Sequence, residues 1–480
     1  MITFIVSITL LIAGYFTYGK FVDRFFGADP NRRTPAVEMA DGVDYQVIKP
    51  WKIFVIQFLN IAGLGPIFGA IMGAAYGPLA YVWIVLGCVF MGATYDYTTG
   101  MLSLRHKGAN LNDIVGMYLG PFFSKLLTLI VVLLLFAVGT SFISGPAGLL
   151  QQLSGLNANI WLTIIFGYYI IATILPISKI IGTIYPYMGG VLLFMAVAVG
   201  GSILVKGFGG ELQMTELTLD TFRNFKSNPA ENVIIPMLFI VISCGAISGF
   251  HATQSPLMAR CMGNERYGRP IFYGAMIAEG VVTCIWATAA MAYFGSPEQL
   301  NAMADAGNTP AIIVNKICNE WLGSTGAVLA VLGIIFCPIT TGDTAFRTLR
   351  LVLADKLKYN QKSIRNRILI SIPIFAVAFI SCNVDFSVLW TYVGITNQLL
   401  AAVALWACAA YFTSRKKSHW LVSLPAVFIT FMSVCYLLIA PHKQGGLHLS
   451  HSIGYPVAAV FTLLCIWLFF SKIVKKEGER

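Results

Sequence analysis

The sequence predicts an all-α polytopic membrane protein of about thirteen transmembrane helices, organised as a five-plus-five inverted repeat with one extra N-terminal and two extra C-terminal helices. Three observations lead there. The 480 residues are 57% hydrophobic and 11% charged, with a mean hydropathy of +0.76, well beyond ordinary soluble domains of this length. Apolar stretches of spanning length recur along the whole chain. Two of those stretches, five spans apart, are interrupted by helix breakers, which is the sequence mark of a transporter's midplane site.

The spans fall near 2–22, 52–76, 79–103, 121–143, 159–178, 183–206, 232–256, 271–295, 324–346, 366–382, 387–412, 419–440 and 454–473. The N-terminus has no basic residue before Lys20 and no small-residue cleavage site after its apolar core, so it reads as an uncleaved first span. Assigning each Lys and Arg to its nearest loop puts 27 of the 32 on one side; Lys206, Arg223, Lys226, Lys316 and Lys443 fall on the other. The positive-inside rule then places the N-terminus outside and the C-terminus in the cytoplasm. That topology accounts for the net charge of +11 without a nucleic-acid partner. The ten cysteines lie mostly in apolar segments with no CxxC pair, as small packing residues rather than disulfides or metal ligands.

Spans 2 and 7 run in opposite directions because an odd number of crossings separates them. Residues 51–206 would form the first repeat and 232–412 the second, joined by an external loop at 207–231. The first span and its cytoplasmic loop, 1–50, precede them; a helix pair and basic tail, 413–480, follow. Each half carries a short non-spanning helix candidate after its second span. These are GANLNDIVGMYLG (Gly108 to Gly120) inside and AGNTPAIIVNKICNEWLG (Ala306 to Gly323) outside.

The first break is NIAGLGPIFGAIMG, Asn60 to Gly73, and the second is SCGAISGFHATQSP, Ser243 to Pro256. Interrupting a helix frees backbone groups that hydrocarbon cannot satisfy. The freed N–H groups suit a carboxylate and the freed carbonyls a cation. Gly63, Gly65, Ala246, Ser248 and Gly249 are the candidate backbone, with Gln57, Asn60, His251, Thr253, Gln254 and Ser255 beside them. Taken singly, each glycine cluster reads equally as a close helix contact, and His251 as a hydrogen-bonder between helices rather than a proton carrier.

Acids at membrane depth cost about 2.5–3.5 kcal/mol each on insertion scales and are functional candidates by default. Asp96, in YDYTTG, is either an ion-coupling group or a solvated helix end. Glu279, about two turns into its span, is an ion-coupling group or a buried hydrogen-bonder. Asp343 clusters with Thr340, Thr341 and Thr344 in CPITTGDTAFRTLR, a set that suits a small hard cation or a proton. Arg347, four residues on, offers the other reading, a brace to Asp343. The basic stretch 347–367 and the segment PLMARCMGNERYGRP (Pro256 to Pro270) are explained by topology. No Gly-x-Ser-x-Gly elbow, HExxH or Walker A run occurs. Nothing argues for an enzyme, an ATP-driven pump or a cofactor beyond a coupling ion, H+ or Na+.

Five segments together carry a resemblance. They are DPNRRTPAVEMADGVDY (Asp29 to Tyr45), IAGLGPIFGA (Ile61 to Ala70), CGAISGFHATQSPLMAR (Cys244 to Arg260), YGRPIFYGAMIAEG (Tyr267 to Gly280) and TTGDTAFR (Thr340 to Arg347). Across much of 29–400 the chain resembles the carbon-starvation protein A (CstA) family of bacterial membrane transporters. That resemblance implies a LeuT-like architecture of the amino acid/polyamine/organocation type, location in the bacterial cytoplasmic (inner) membrane, and uptake of pyruvate by proton symport or of peptides. The chain departs from the long members, which carry a His-His pair where it reads Ile56-Gln57, and it lacks much of their C-terminal region. The expectation is a secondary active transporter working by alternating access, whose partners are a small carboxylate or short peptide and membrane lipid. Its ion would sit on Asp343 with Thr340 and Thr341, or on Glu279. The alternatives are a non-transporting nutrient sensor and a channel.

Overall fold

Every regular element among the described residues is a helix, which is how a chain in hydrocarbon satisfies its backbone within one segment. The computed structural model describes residues 1–175, 177–361, 363–382 and 386–475; for 152, 177–184, 329, 386–388 and 391 it describes the backbone alone. The end of the basic tail, 476–480, lies outside that description.

The first span is α1 (Ile2–Phe26). A connection that is irregular apart from one helical turn, Pro35–Glu38, leads to α2 (Pro50–Ile61), which stops at Ala62 and resumes as α3 (Gly65–Ala74) after a bend of 56°. Then come α4 (Leu79–Arg105), the short α5 (Leu111–Leu119), α6 (Pro121–Ser154), α7 (Ala158–Ile174) and α8 (Ile177–Phe208). The second interrupted segment is α9 (234–241) and α10 (Gly249–Ala259), separated by seven residues without helix. It is followed by α11 (Glu265–Phe294), α12 (Pro297–Asp305), α13 (Pro310–Leu357), α14 (Ile364–Ser381), α15 (Phe386–Ser414), α16 (Trp420–Ile439) and α17 (His451–Val474).

Among the described residues nine helices are long and apolar enough to cross a membrane, or eleven if each bent pair is one span. The chain is thus a multi-pass membrane protein. Two segments expected to span fall below that length: α7 has 17 residues, and the second break is so central that neither α9 nor α10 reaches it. The outer segment Ala306 to Gly323 is helical as expected, and α13 is two helical stretches that meet at Gly323, whose φ 66° and ψ 179° are not helical; the two are bent by 72° to one another. Glycine enters that backbone region without the strain a Cβ would bring.

The two interrupted segments lie at the centre. α2 packs against α8, α10, α11 and α13; α3 packs against α11; α10 packs against α4 and α15. The pair α16 and α17 joins from outside, with α16 packed on α15, α9 and α4. Val197 of α8, Ile380 of α14 and Val460 of α17 are exposed, as a lipid-facing surface requires.

Candidate functional site

The two breaks touch. A Cβ on Gly65 would lie 2.3 Å from the Cys244 side chain, and one on Gly249 would lie 2.1 Å from the Asn397 carbonyl oxygen. Only glycine lets the backbones approach this closely.

The first break ends in free carbonyls, and α13 meets them. Thr341 Oγ1 donates to the Leu59 carbonyl at 3.0 Å, and the Cys337 thiol donates to the Ala62 carbonyl. One turn before the break stand Gln57 and Asn60, three residues apart and so on one face of α2. Both are fully buried, and all four of their side-chain amide atoms lack a hydrogen-bond partner. Each such group costs about 1–3 kcal/mol. A buried pair of amides with two donors and two acceptors unspent is set to take a carboxylate or an amide.

At the second break the protein supplies its own cap. Asn397 Oδ1 of α15 accepts from the Phe250 N–H at 2.6 Å and from Ser248 Oγ at 3.0 Å; Gln398 Nε2 donates to the Ile247 carbonyl at 3.1 Å. The first turn of α10, offered by sequence as an anion cradle around Ala246, Ser248 and Gly249, is therefore partly closed by a side chain. Asn397 and Gln398 were missed. Their signal was an amide pair inside an otherwise apolar span.

Beyond the cap, α10 carries His251. Its Nδ1 lies 2.9 Å from Asp96 Oδ2 on α4, and its Nε2 lies 3.4 Å from Glu279 Oε2 on α11. All three side chains are fully buried. Sequence proposed these residues one by one, His251 with the substrate and the acids with an ion; the fold makes them a single cluster. The solvated-end reading of Asp96 is overturned, because α4 packs on α10 along the stretch that carries it. The other polar residues of α10 are satisfied locally. Thr253 Oγ1 donates to the Phe250 carbonyl at 2.6 Å, Gln254 Nε2 to Thr253 Oγ1 at 2.9 Å, and Ser255 Oγ to the His251 carbonyl at 3.1 Å.

Asp343 stands apart from that cluster in its bonding, accepting from Tyr185 of α8 at 2.6 Å. Its threonine neighbours point their protons at helix carbonyls: Thr340 to Cys337 at 2.8 Å and Thr344 to Thr340 at 3.1 Å. The brace to Arg347 is not formed. Arg347 instead donates to the Leu175 carbonyl at 2.9 Å and pairs with Asp44 at 3.8 Å. Nor is the basic stretch after it mere topology, since Arg347 and Arg350 are fully buried.

A cavity of about 530 Å³ runs from loop residues Lys226, Asn308 and Gln444 to Gly65, Cys244 and Asn397 at the breaks. Of the expected substrate residues Gly65 lines it and the other ten do not. A larger cavity of about 870 Å³, lined by apolar residues such as Ile8, Val197 and Val281, lies between α1, α8 and α11, away from this chemistry.

The model of the family described as carbon starvation protein CstA matches residues 1–144, 123–325 and 308–435. An uncharacterized membrane protein of Haemophilus influenzae is 42% identical over 353 residues, covering 64% of this chain and 95% of that one. The peptide transporter CstA of Campylobacter jejuni is 24% identical, covering 92% and 80%. The pyruvate/proton symporter BtsT of Escherichia coli is 26% identical, covering 60% and 48%. In fold, the chain is similar to MhsT, solved in complex with L-phenylalanine, with a TM-score of 0.54 at 10% identity over 88% of this chain and 99% of that one. The likeness to MhsT is one of architecture, all-helical and LeuT-like. With family matches running from residue 1 to 435, the chain belongs to the carbon starvation protein CstA family.

Proposed function

We propose that the protein is a secondary active transporter importing a small carboxylate-bearing nutrient, pyruvate or a short peptide, by proton-coupled alternating access. It would lie in the bacterial cytoplasmic membrane with its N-terminus outside. Thirteen crossings follow if α7 and the α9–α10 pair each count as one, with 51–206 and 232–412 as inverted repeats. The names of the peptide and pyruvate/proton transporters among its relatives support the substrate class.

The observation that carries the coupling is His251 held between Asp96 and Glu279 at 2.9 and 3.4 Å, all fully buried. Hydrocarbon disfavours every net charge left there, so loading and unloading of a proton is tied to which side of the membrane the cluster faces. The substrate's carboxylate or peptide group takes the unspent amides of Gln57 and Asn60, one helix away on α2. Asp343, bonded to Tyr185, holds α13 to α8 and is the second candidate for the ion.

Proteoliposomes test this. Uptake of pyruvate or a dipeptide should follow an inward proton gradient and ignore a sodium gradient. Uptake that persists with both gradients collapsed would exclude coupling, and no uptake across a panel of carboxylates and short peptides would exclude the substrate class.

A further inference from the structure

We propose that Arg347 and Arg350, at the inner end of α13, form a carboxylate site that Asp44 fills in this conformation, and that it receives the substrate's carboxylate on the cytoplasmic side when Asp44 withdraws. The identity of the ligand rests on the transport reading; the site itself does not.

The two arginines are fully buried and one helical turn apart, so they share a face. Each is anchored by one nitrogen. Arg347 Nη2 donates to the Ala172 and Leu175 carbonyls at the end of α7, and Arg350 Nη1 donates to Gln361 Oε1. Those anchors account for a helix-capping role and leave the rest of both guanidinium groups over. Arg347 Nη1 and Arg350 Nη2 then converge on a single atom, Asp44 Oδ1, at 3.8 and 4.0 Å. Both distances exceed a charge-assisted hydrogen bond. Nε and Nη1 of Arg347, and Nε and Nη2 of Arg350, have no hydrogen-bond partner. Arg260 and Arg367 add positive charge around Arg350, so these four cations outnumber Asp44 and Asp355, the acid that faces Arg260. Two pre-oriented forks with unused edges match a carboxylate better than Asp44 alone fills them.

Asp44 is also mounted to leave. It sits on the irregular connection between α1 and α2, in a turn shaped by Asp41, whose Oδ1 accepts from the N–H groups of Val43, Asp44 and Tyr45 at 2.8, 3.0 and 2.9 Å. That strand of chain is laced to the end of α10, through Gln46 N–H to the Arg260 carbonyl at 3.3 Å and Ile48 N–H to the Cys261 carbonyl at 3.1 Å. The arginines ride on α13. Movement of the end of α10 away from α13 draws Asp44 off the guanidinium pair and frees them for an incoming carboxylate.

Chemical rescue tests the site without transport. Asp44→Ala, purified in detergent, should melt below wild type, and acetate should restore it, raising the midpoint by about 2 °C at ten times its dissociation constant. Pyruvate should act as acetate does. Wild type, whose site is filled, should show no such rise, and neither should Asp44→Ala combined with Arg350→Gln. An equal rise in wild type or in the double variant, an equal rise with chloride at the same ionic strength, or no rise with either carboxylate would overturn the proposal. If Asp44→Ala does not fold, Asp44→Ser carries the same test. Vesicles that transport nothing while acetate still rescues Asp44→Ala would sink the transport reading and leave the carboxylate site standing.

Discussion

The two helix breaks lie against each other, yet the protein finishes them differently. At the first, α13 caps the stranded carbonyls through Thr341 and Cys337, and the neighbouring amides of Gln57 and Asn60 are left with nothing to bond. At the second, Asn397 caps the Phe250 N–H, and His251 is bonded by Asp96 on one nitrogen while Glu279 stands 3.4 Å from the other without a hydrogen bond. A broken helix is therefore not a ligand site by itself, since a side chain from a neighbouring span can satisfy the loose ends. What marks the ligand position is the polar capacity that remains after capping. On the proposed reading the neutral amides left over at the first break would take the nutrient, and the ionisable groups left over at the second, His251 Nε2 and the Glu279 carboxyl, would take the proton.

The largest effect should come from the second break. Glu279→Gln, and separately His251→Gln, should reduce gradient-driven accumulation to that of empty vesicles while exchange of labelled for unlabelled substrate continues. Loss of both exchange and accumulation would mean that the cluster braces α4, α10 and α11, and the division of labour between the breaks would fall.

Gln57 offers a cleaner contrast, because function and stability should move in opposite directions. Gln57→Leu removes an amide that bonds to nothing in the protein, so the melting temperature should hold or rise. Substrate affinity should fall by about 10- to 100-fold, the equivalent of roughly 1–3 kcal/mol for a lost buried hydrogen bond. Isothermal titration reads the affinity, and a thermal melt of the same preparation reads the stability. An unchanged affinity would move the nutrient out of the first break.

How much of this was legible in the sequence depends on whether the information was local. Both breaks were, because glycine and proline act on the backbone where they stand; α2 stops within two residues of Asn60, and α10 starts at Gly249. The depth of Glu279 was local too. The joining of Asp96, His251 and Glu279 was not, since it rests on contacts spanning 155 residues between Asp96 and His251. Asn397 was hidden for the same reason, as a cap drawn from a helix far along the chain. Arg347 shows the limit of reading charge by topology: the positive-inside rule explained its sign and its side, and so masked its burial. The end of the Ala306 to Gly323 segment was local as well, since Gly323 leaves the helix at φ 66° and ψ 179°.

Asn397→Ala should come next in size. It strips the acceptor from the Phe250 N–H and the Ser248 hydroxyl, and costs about 1–3 kcal/mol in the folded state. The melting temperature should fall while substrate affinity changes less than in Gln57→Leu. An affinity loss equal to that of Gln57→Leu would mean that Asn397 also touches the ligand from the floor of the 530 Å³ cavity.

The smallest effect, and the one that separates a proton from a sodium ion, should come from Thr341. Thr340 donates to the Cys337 carbonyl at 2.8 Å, whereas the single hydroxyl proton of Thr341 lies between the Cys337 carbonyl and the Leu59 carbonyl of α2, each at 3.0 Å. Replacing either by valine keeps the shape and removes the hydroxyl. If the hydroxyls serve only as caps, Thr341→Val and Thr340→Val should each cost about 1 kcal/mol, the worth of one buried hydrogen bond, and neither should alter the ion that drives uptake. If instead the Leu59 carbonyl and Thr341 Oγ1 belong to a cation's oxygen shell, Thr341→Val should weaken uptake in proportion to the sodium gradient and leave its proton dependence untouched. Uptake measured against each gradient in turn decides between them, and a sodium effect would transfer the ion from the second break to the first.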